Sequence, residues 1–318
     1  MEESTLGMKK GTTMEKCCVI DIGTNSIRML VARLEEGYIT DSIKNIETTR
    51  IGEGVDKTKL LSPQAIDRSI AALKKFKHEA INKGITNIRA IATSAVRDAE
   101  NRSEFLERVR NELNIDIEVI SGKKEAELGF MGVVRGIDKK LEELLVIDIG
   151  GGSTEFILGD NAGIKYLKSI DIGAVRMTDK HIFTDPATDF EMYNLNDDIN
   201  TMIGEVIEDI KKFEIKEVAG IGGTVTSLGS IAQGLEVYDR NKVHNYELSI
   251  EQINGMVNRF KNLNNTDRKR IKGLQPKRAD IILAGSKILY GILTALDIKK
   301  IRISEYDNLE GYVYSEVI

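Results

Sequence analysis

The sequence predicts an α/β protein built from two similar domains. Three observations carry this expectation. An apolar strand ending in Asp-Ile-Gly occurs twice, as CVIDIGTNS at 18–26 and as LVIDIGGGST at 145–154, with the aspartates 127 positions apart. A repeat at so long a period indicates a duplicated domain, not a solenoid. Strand-like and helix-like segments alternate along the chain, the pattern of α/β architecture. The length of 318 residues is large for one core and comfortable for two.

The elements follow in order. Residues 1–15 read as a flexible leader. The first Asp-Ile-Gly strand comes next, and 39–51 continues the first sheet. Residues 64–83 have helical spacing, with Ser62 as N-cap, Pro63 in the first turn and Gly84 at the end. A strand at 88–93, a helix at 103–113 and a strand at 117–121 lead to a helix over 124–136. The second Asp-Ile-Gly strand follows, then a strand at 164–172 and a long helix at 190–213. A third turn, VAGIGGT at 218–224, opens a helix at 225–235. Segments 250–263, 266–272 and 277–296 read as helical, 300–304 as a last strand and 308–317 as a closing helix. With three prolines and no low-complexity linker, the domain junction is expected to be a helix. The expected first domain is 16–130 and the second 131–304, with the C-terminal 305–318 packing back on the first.

Composition narrows the function. Hydrophobic residues at 41% and charged residues at 30% describe a soluble globular chain, and no apolar run is long enough to span a bilayer. The N-terminus lacks the basic and apolar regions of a secretory signal. Cys17 and Cys18 are neighbours on a strand, point to opposite faces, and read as reduced residues of a cytoplasmic protein. Tryptophan is absent and aromatic residues are few, so a stacking platform for nucleic acid is not expected. The net charge of −5 means that any polyanion must be held by local cations and backbone amides.

The glycine turns are where such holding is expected. Asp21, Gly23, Thr24, Asn25 and Ser26 form a strand end followed by a polar turn, whose successive amides make a concave anion site. Asp148 begins the second copy, with Gly150, Gly151, Gly152, Ser153 and Thr154. Three consecutive glycines cost folding entropy that a plain hairpin does not require, and close approach of a phosphate does. Gly222, Gly223 and Thr224 open a helix, whose first amides and dipole favour an anion. The basic stretch from Arg268 to Arg278 reads either as a guide for distal phosphates or as a solvated helix face. His78, His181 and His244 have no ligand spacing.

The ordered set IDIGTNSIRML, ATSAVRDAEN, ISGKKEAELGFMGV, VIDIGGGSTEF, GAVRM, GIGGTVTSL and RADIILAG resembles the exopolyphosphatase/guanosine-pentaphosphate phosphohydrolase family, from Val19 to the C-terminus. The resemblance implies two actin-like (ribonuclease H-like) domains with the site in the cleft between them. It implies release of orthophosphate from inorganic polyphosphate, or from guanosine pentaphosphate. A kinase of the same superfamily and a non-catalytic sensor are the readings of other classes. By the same resemblance Glu125 activates water, Arg97 contacts phosphate with Ser94 and the amide of Ala95, and Asp148 and Glu155 hold a divalent cation, magnesium or manganese. A homodimer is plausible from the family, and the chain resembles its short form. Two departures stand out. Lys123 and Lys124 occupy positions where many members are acidic. In the C-terminal motif Asp307 and Leu309 replace the usual glycine and arginine.

Overall fold

The computed structural model describes residues 15–137 and 141–318; the leader expected at 1–15 lies outside these except for Glu15. The first half comprises β1 (Glu15–Ile22), β2 (Ser26–Glu35), β3 (Tyr38–Thr48), α1 (Val55–Thr58), α2 (Pro63–Asn82), β4 (Ile88–Ala92), α3 (Ser94–Asp98), α4 (Arg102–Leu113), β5 (Ile117–Val119) and α5 (Gly122–Gly136). The second half runs β6 (Leu144–Ile149), β7 (Thr154–Asp160), β8 (Gly163–Ile170), α6 (Ala174–His181), α7 (Asp189–Ile210), β9 (Glu217–Ile221) and α8 (Gly222–Ala232). It closes with α9 (Arg240–Val243), β10 (Glu247–Ser249), α10 (Ile250–Asn262), α11 (Asn265–Arg268), α12 (Ile282–Ala295), β11 (Lys300–Ile303) and α13 (Asn308–Tyr312).

The duplication is real at the level of topology. The first sheet has the order β3-β2-β1-β4-β5, with β1, β2 and β3 antiparallel and β4 and β5 parallel to β1. The second repeats it as β8-β7-β6-β9-β11 and adds β10 at the edge. These are two actin-like, ribonuclease H-like domains. In each, an Asp-Ile-Gly strand is central, and its hairpin partner follows after a short polar turn.

The local signals explain most elements. Ser62 caps α2 by accepting from the Ala65 N–H at 3.2 Å, Pro63 occupies its first position, and Gly84 follows its end at φ +79°. Three expectations change. The strands β2 and β7 and the helix α6 stand where the sequence reading assigned no element. The helix expected at 266–272 is only the single turn α11. The one expected at 277–296 divides into a 3₁₀ turn at Pro276–Arg278 and α12. Arg268 braces this stretch. It is buried, and its guanidinium donates to the carbonyls of Phe260, Leu263 and Ala279, stabilising an irregular backbone.

Apolar layers cover both faces of each sheet. Cys18, Ile20 and Ile22 face α2 and α4, whereas Cys17 and Val19 face α13; both cysteines are buried and free. The boundary expected near Phe130 falls inside α5. Leu128 of that helix packs with the first sheet and α13, while Ala126, Phe130 and Val133 pack on β6, β7 and β9. Helix α13 leaves the second sheet and lies against β1 and α5 through Leu309, Tyr312 and Val313.

The α5–α13 crossing is closer than side chains permit. A Cβ on Gly132 would stand 2.1 Å from the Asp307 carbonyl oxygen, and one on Gly311 would stand 1.8 Å from that of Leu128. Backbone cannot retreat as a side chain can. Gly311→Ala is therefore expected to cost about 1–3 kcal/mol by overpacking, measured by urea unfolding. An unchanged midpoint would show that the crossing is looser than described.

Candidate active site

Each central strand ends in the same hairpin turn. The Gly23 N–H donates to the Ser26 carbonyl at 3.1 Å, and the Gly150 N–H donates to that of Ser153 at 3.0 Å. Among the described residues, the N–H groups of Thr24, Asn25, Gly151 and Gly152 donate to no protein acceptor. The register then places Asp21 opposite Arg28 and Asp148 opposite Glu155. Equivalent positions thus carry an ion pair in one hairpin and two carboxylates in the other.

The two turns meet across the cleft. A Cβ on Gly151 would lie 2.7 Å from Cβ of Thr24, and one on Gly152 would lie 2.3 Å from Oγ of Ser94. This refines the reading of the glycine run. Its second and third glycines are required by the facing domain before any ligand is considered. In the third turn, Gly222 has φ +85°, open to glycine at little strain, and Gly223 is covered by the Arg278 guanidinium.

The three turns, with Ser94, Glu125 and Asp148, line one cleft. Four of the residues expected at the site do not line it. Arg97 stands behind Glu125 and reaches its carboxylate at 3.2 Å. Glu155 lies behind Asp148 and accepts from the Ser169 hydroxyl at 2.7 Å. Thr154 is fully buried, and its hydroxyl donates to the Ile172 carbonyl, so it is a core residue and not a ligand to the cleft. Ala95 is buried, with its Cβ near Gly52. Lys123 and Lys124 turn away: Lys124 pairs with Glu316, and Lys123 is an exposed neighbour of Glu127. The cation that tempers Glu125 is therefore Arg97.

The cleft also holds residues that motif spacing alone passes over, among them Arg28, Arg278 and Asn308. The signal for Arg28 is in the repeat: it follows Asp21 by seven positions, as Glu155 follows Asp148. Of the basic stretch, only Arg278 lines this cleft; Arg270 and Lys272 form exposed pairs with Asp267 and Glu236. Arg278 is half-buried and has no carboxylate partner among the described residues. Burial, aided by the nearby Arg28 charge, lowers it to about 10. Arg176 of α6 ties the domains together at the Gly152 side, donating to the Gly152 carbonyl and pairing with Asp56 and Asp98.

A duplicated actin-like fold around facing glycine turns defines a phosphate-handling enzyme class. The profile of the Ppx/GppA phosphatase family matches residues 30–318, and the chain belongs to that family. It is 38% identical over 309 residues to the bifunctional 3-dehydroquinate synthase/phosphatase of Fusobacterium nucleatum, covering 94% of this chain but only 46% of that protein. It is 30% identical to exopolyphosphatase 2 of Mycobacterium tuberculosis, with 95% of this chain and 98% of that one covered. Among solved structures, the Aquifex aeolicus member of the family superposes with a TM-score of 0.79 at 30% identity, over 96% of this chain and 98% of that one. An exopolyphosphatase of Cytophaga hutchinsonii gives 0.86 at 27% identity, over 95% and 97%. The protein is thus a phosphatase. Among the described residues, no helix is long and apolar enough to cross a membrane.

The carboxylates of the site repel one another. Burial raises Glu125 well above the usual range; Asp148 and Asp21 add to this and Arg97 opposes it. Burial likewise raises Asp148, against the pull of Arg28. Glu155 is raised by burial and then by Glu125 and Asp148. One oxygen each of Asp21 and Glu155 is buried without a hydrogen-bond partner. Among the described residues no three acidic, histidine or cysteine side chains are arranged as a ready metal cage. The opposed Asp148–Glu155 pair and the unpartnered oxygens nevertheless suit a hard divalent cation completed by water or phosphate oxygens.

A carboxyl raised in the folded state favours the protonated fold. Its contribution is present below the ordinary carboxylate pKa and lost as pH rises through the raised value. In metal-free buffer, Glu155→Gln is therefore expected to raise the melting temperature by about 2–4 °C at alkaline pH. The gain should vanish in acid, as followed by thermal unfolding at both pH values. An equal shift at both would remove charge repulsion as the cause.

Proposed function

We propose that this chain hydrolyses the terminal phosphoanhydride bond of inorganic polyphosphate, releasing orthophosphate. The observation that carries the reading is the presence of two unlike groups in one cleft. A buried glutamate, Glu125, is held by Arg97, and a half-buried arginine without a carboxylate partner, Arg278, stands over the glycine turn at Gly223. A cation partly withdrawn from water and left without a carboxylate gains from an anion that completes it.

In this reading the free amides of Thr24, Asn25, Gly151 and Gly152 and the hydroxyls of Ser26, Ser94, Ser153 and Thr224 cradle the end phosphates. Asp21, Gly23, Gly150 and Gly222 shape the turns that present them. Arg278 supplies the charge. Glu125 orients a water for in-line attack and accepts its proton. The new P–O bond forms to the water oxygen while the bridging P–O bond breaks, and the shortened chain leaves as its phosphate oxyanion. Arg97 fixes the Glu125 carboxylate and stabilises its ionised form. Asp148 and Glu155 would hold the divalent cation, magnesium or manganese, which when bound supplies charge neutralisation at the phosphate oxygens.

The names of the two exopolyphosphatase relatives support this reading, and the resemblance of the motifs adds guanosine pentaphosphate as the second substrate to assay. Phosphate release from polyphosphate in magnesium is expected, with Glu125→Gln lowering kcat by about 10²–10⁴-fold while binding persists. Because the base must be ionised and its pKa is raised, the rate should climb from mildly acid to mildly alkaline buffer. No release from polyphosphate or guanosine pentaphosphate, together with acceptor-dependent ADP formation, would replace the hydrolase by a kinase.

A further inference from the structure

Beyond the turns the cleft opens into a second recess. It shares Arg28, Gly222, Gly223 and Arg278 with the first and adds Lys44, Tyr238 and Gln275 to its walls. A polyanionic chain leaving the turns on this side needs unpaired cations there. On the side of Gly152 the Arg176 cation is already committed to Asp56 and Asp98.

The recess does not offer a row of free cations. Asp307 places Oδ2 2.6 Å from the Arg28 guanidinium and 3.2 Å from Nζ of Lys44. Arg28 also pairs with Asp21, and Lys44 with Glu310 at 2.8 Å. Glu310 is further paired with Arg240 at 3.3 Å, and Glu305 on the wall accepts from the Tyr238 hydroxyl. Among the described residues, Arg278 is the one cation of the recess without a carboxylate partner. Asp307 is anchored as well as charged: its Oδ1 accepts the Leu309 N–H at 3.0 Å and caps α13. Burial acts to raise Asp307, but Arg28 and Lys44 outweigh it and hold the carboxyl low, at about 2.

We propose that Asp307 is a specificity-determining residue that restricts the cleft to short phosphate chains by occupying Arg28 and Lys44. The inference rests on the phosphatase reading for the place of the chain end, and on the ion pairs for its limit. A phosphate unit beyond the turns would have to displace a bonded carboxylate or lie beside it. With the glycine usual in the resembling motif, both cations would have one carboxylate fewer and would face the substrate.

The test compares binding of tripolyphosphate and of long-chain polyphosphate to the intact chain and to Asp307→Asn. Asparagine caps a helix as well as aspartate does and puts a neutral amide in place of the carboxylate; Asp307→Ser, another good cap, serves if the first variant does not fold. The expected result is a gain of about tenfold in long-chain affinity relative to tripolyphosphate, the size of one charge contact. The salt dependence of long-chain binding should also steepen, because freed cations release more counterions. An equal change for both ligands, or an unchanged or weaker long-chain affinity, overturns the proposal. Phosphate release is scored separately on the same samples. Its absence in the unaltered chain would sink the hydrolase reading, while the binding ratio still decides the role of Asp307.

Discussion

At the end of β6, Asp148 faces Glu155 across an antiparallel pair, and both carboxylates are buried. Two like charges so placed oppose folding unless something neutralises them, and Glu125 adds a third. Much of the site can be understood as a response to that constraint. Arg97 is held against Glu125, Ser169 donates to Glu155, and the cleft is shaped to admit counter-charges. In the sister hairpin the same position is solved internally, by Arg28 opposite Asp21. One duplicated frame therefore yields one satisfied pair and one that awaits a partner.

The glycine turns connect this electrostatics to the architecture. Gly151 and Gly152 let the second domain approach Thr24 and Ser94 closely. The same approach leaves unused amides on both sides of the cleft. Gly132 and Gly311 perform a similar service behind the site, where α5 crosses α13. That crossing binds the helix bearing Glu125 to the helix capped by Asp307. The base and the ion network at the far recess are thus braced by one contact between backbones.

Much of this was legible in the chain. The Asp-Ile-Gly repeat indicated the duplicated domains, and Ser62, Pro63 and Gly84 marked α2. The turns, Ser94 and Glu125 were singled out, and they do gather around one cleft. Other features were not legible because they depend on partners distant in sequence. Thr154 looked like a member of the loop until pairing turned its hydroxyl toward Ile172. Lys123 and Lys124 stand out in the sequence as a departure from an acidic pattern, and only the helix shows that they pair with Glu127 and Glu316, away from the cleft. The basic stretch looked uniform, yet folding made Arg268 a buried backbone brace and Arg278 a lining residue of the cleft.

By itself the sequence determined the alternation of strands and helices, the duplicated Asp-Ile-Gly turns and the family. Periodicity, caps and glycine runs are local properties that need no knowledge of the rest of the chain. Only the tertiary structure decided which charges are paired. Asp307 meets Arg28 and Lys44 across 279 and 263 positions of sequence, and Arg278 is left without a carboxylate. Coulomb energy depends on distance and burial, and neither is written in the order of residues.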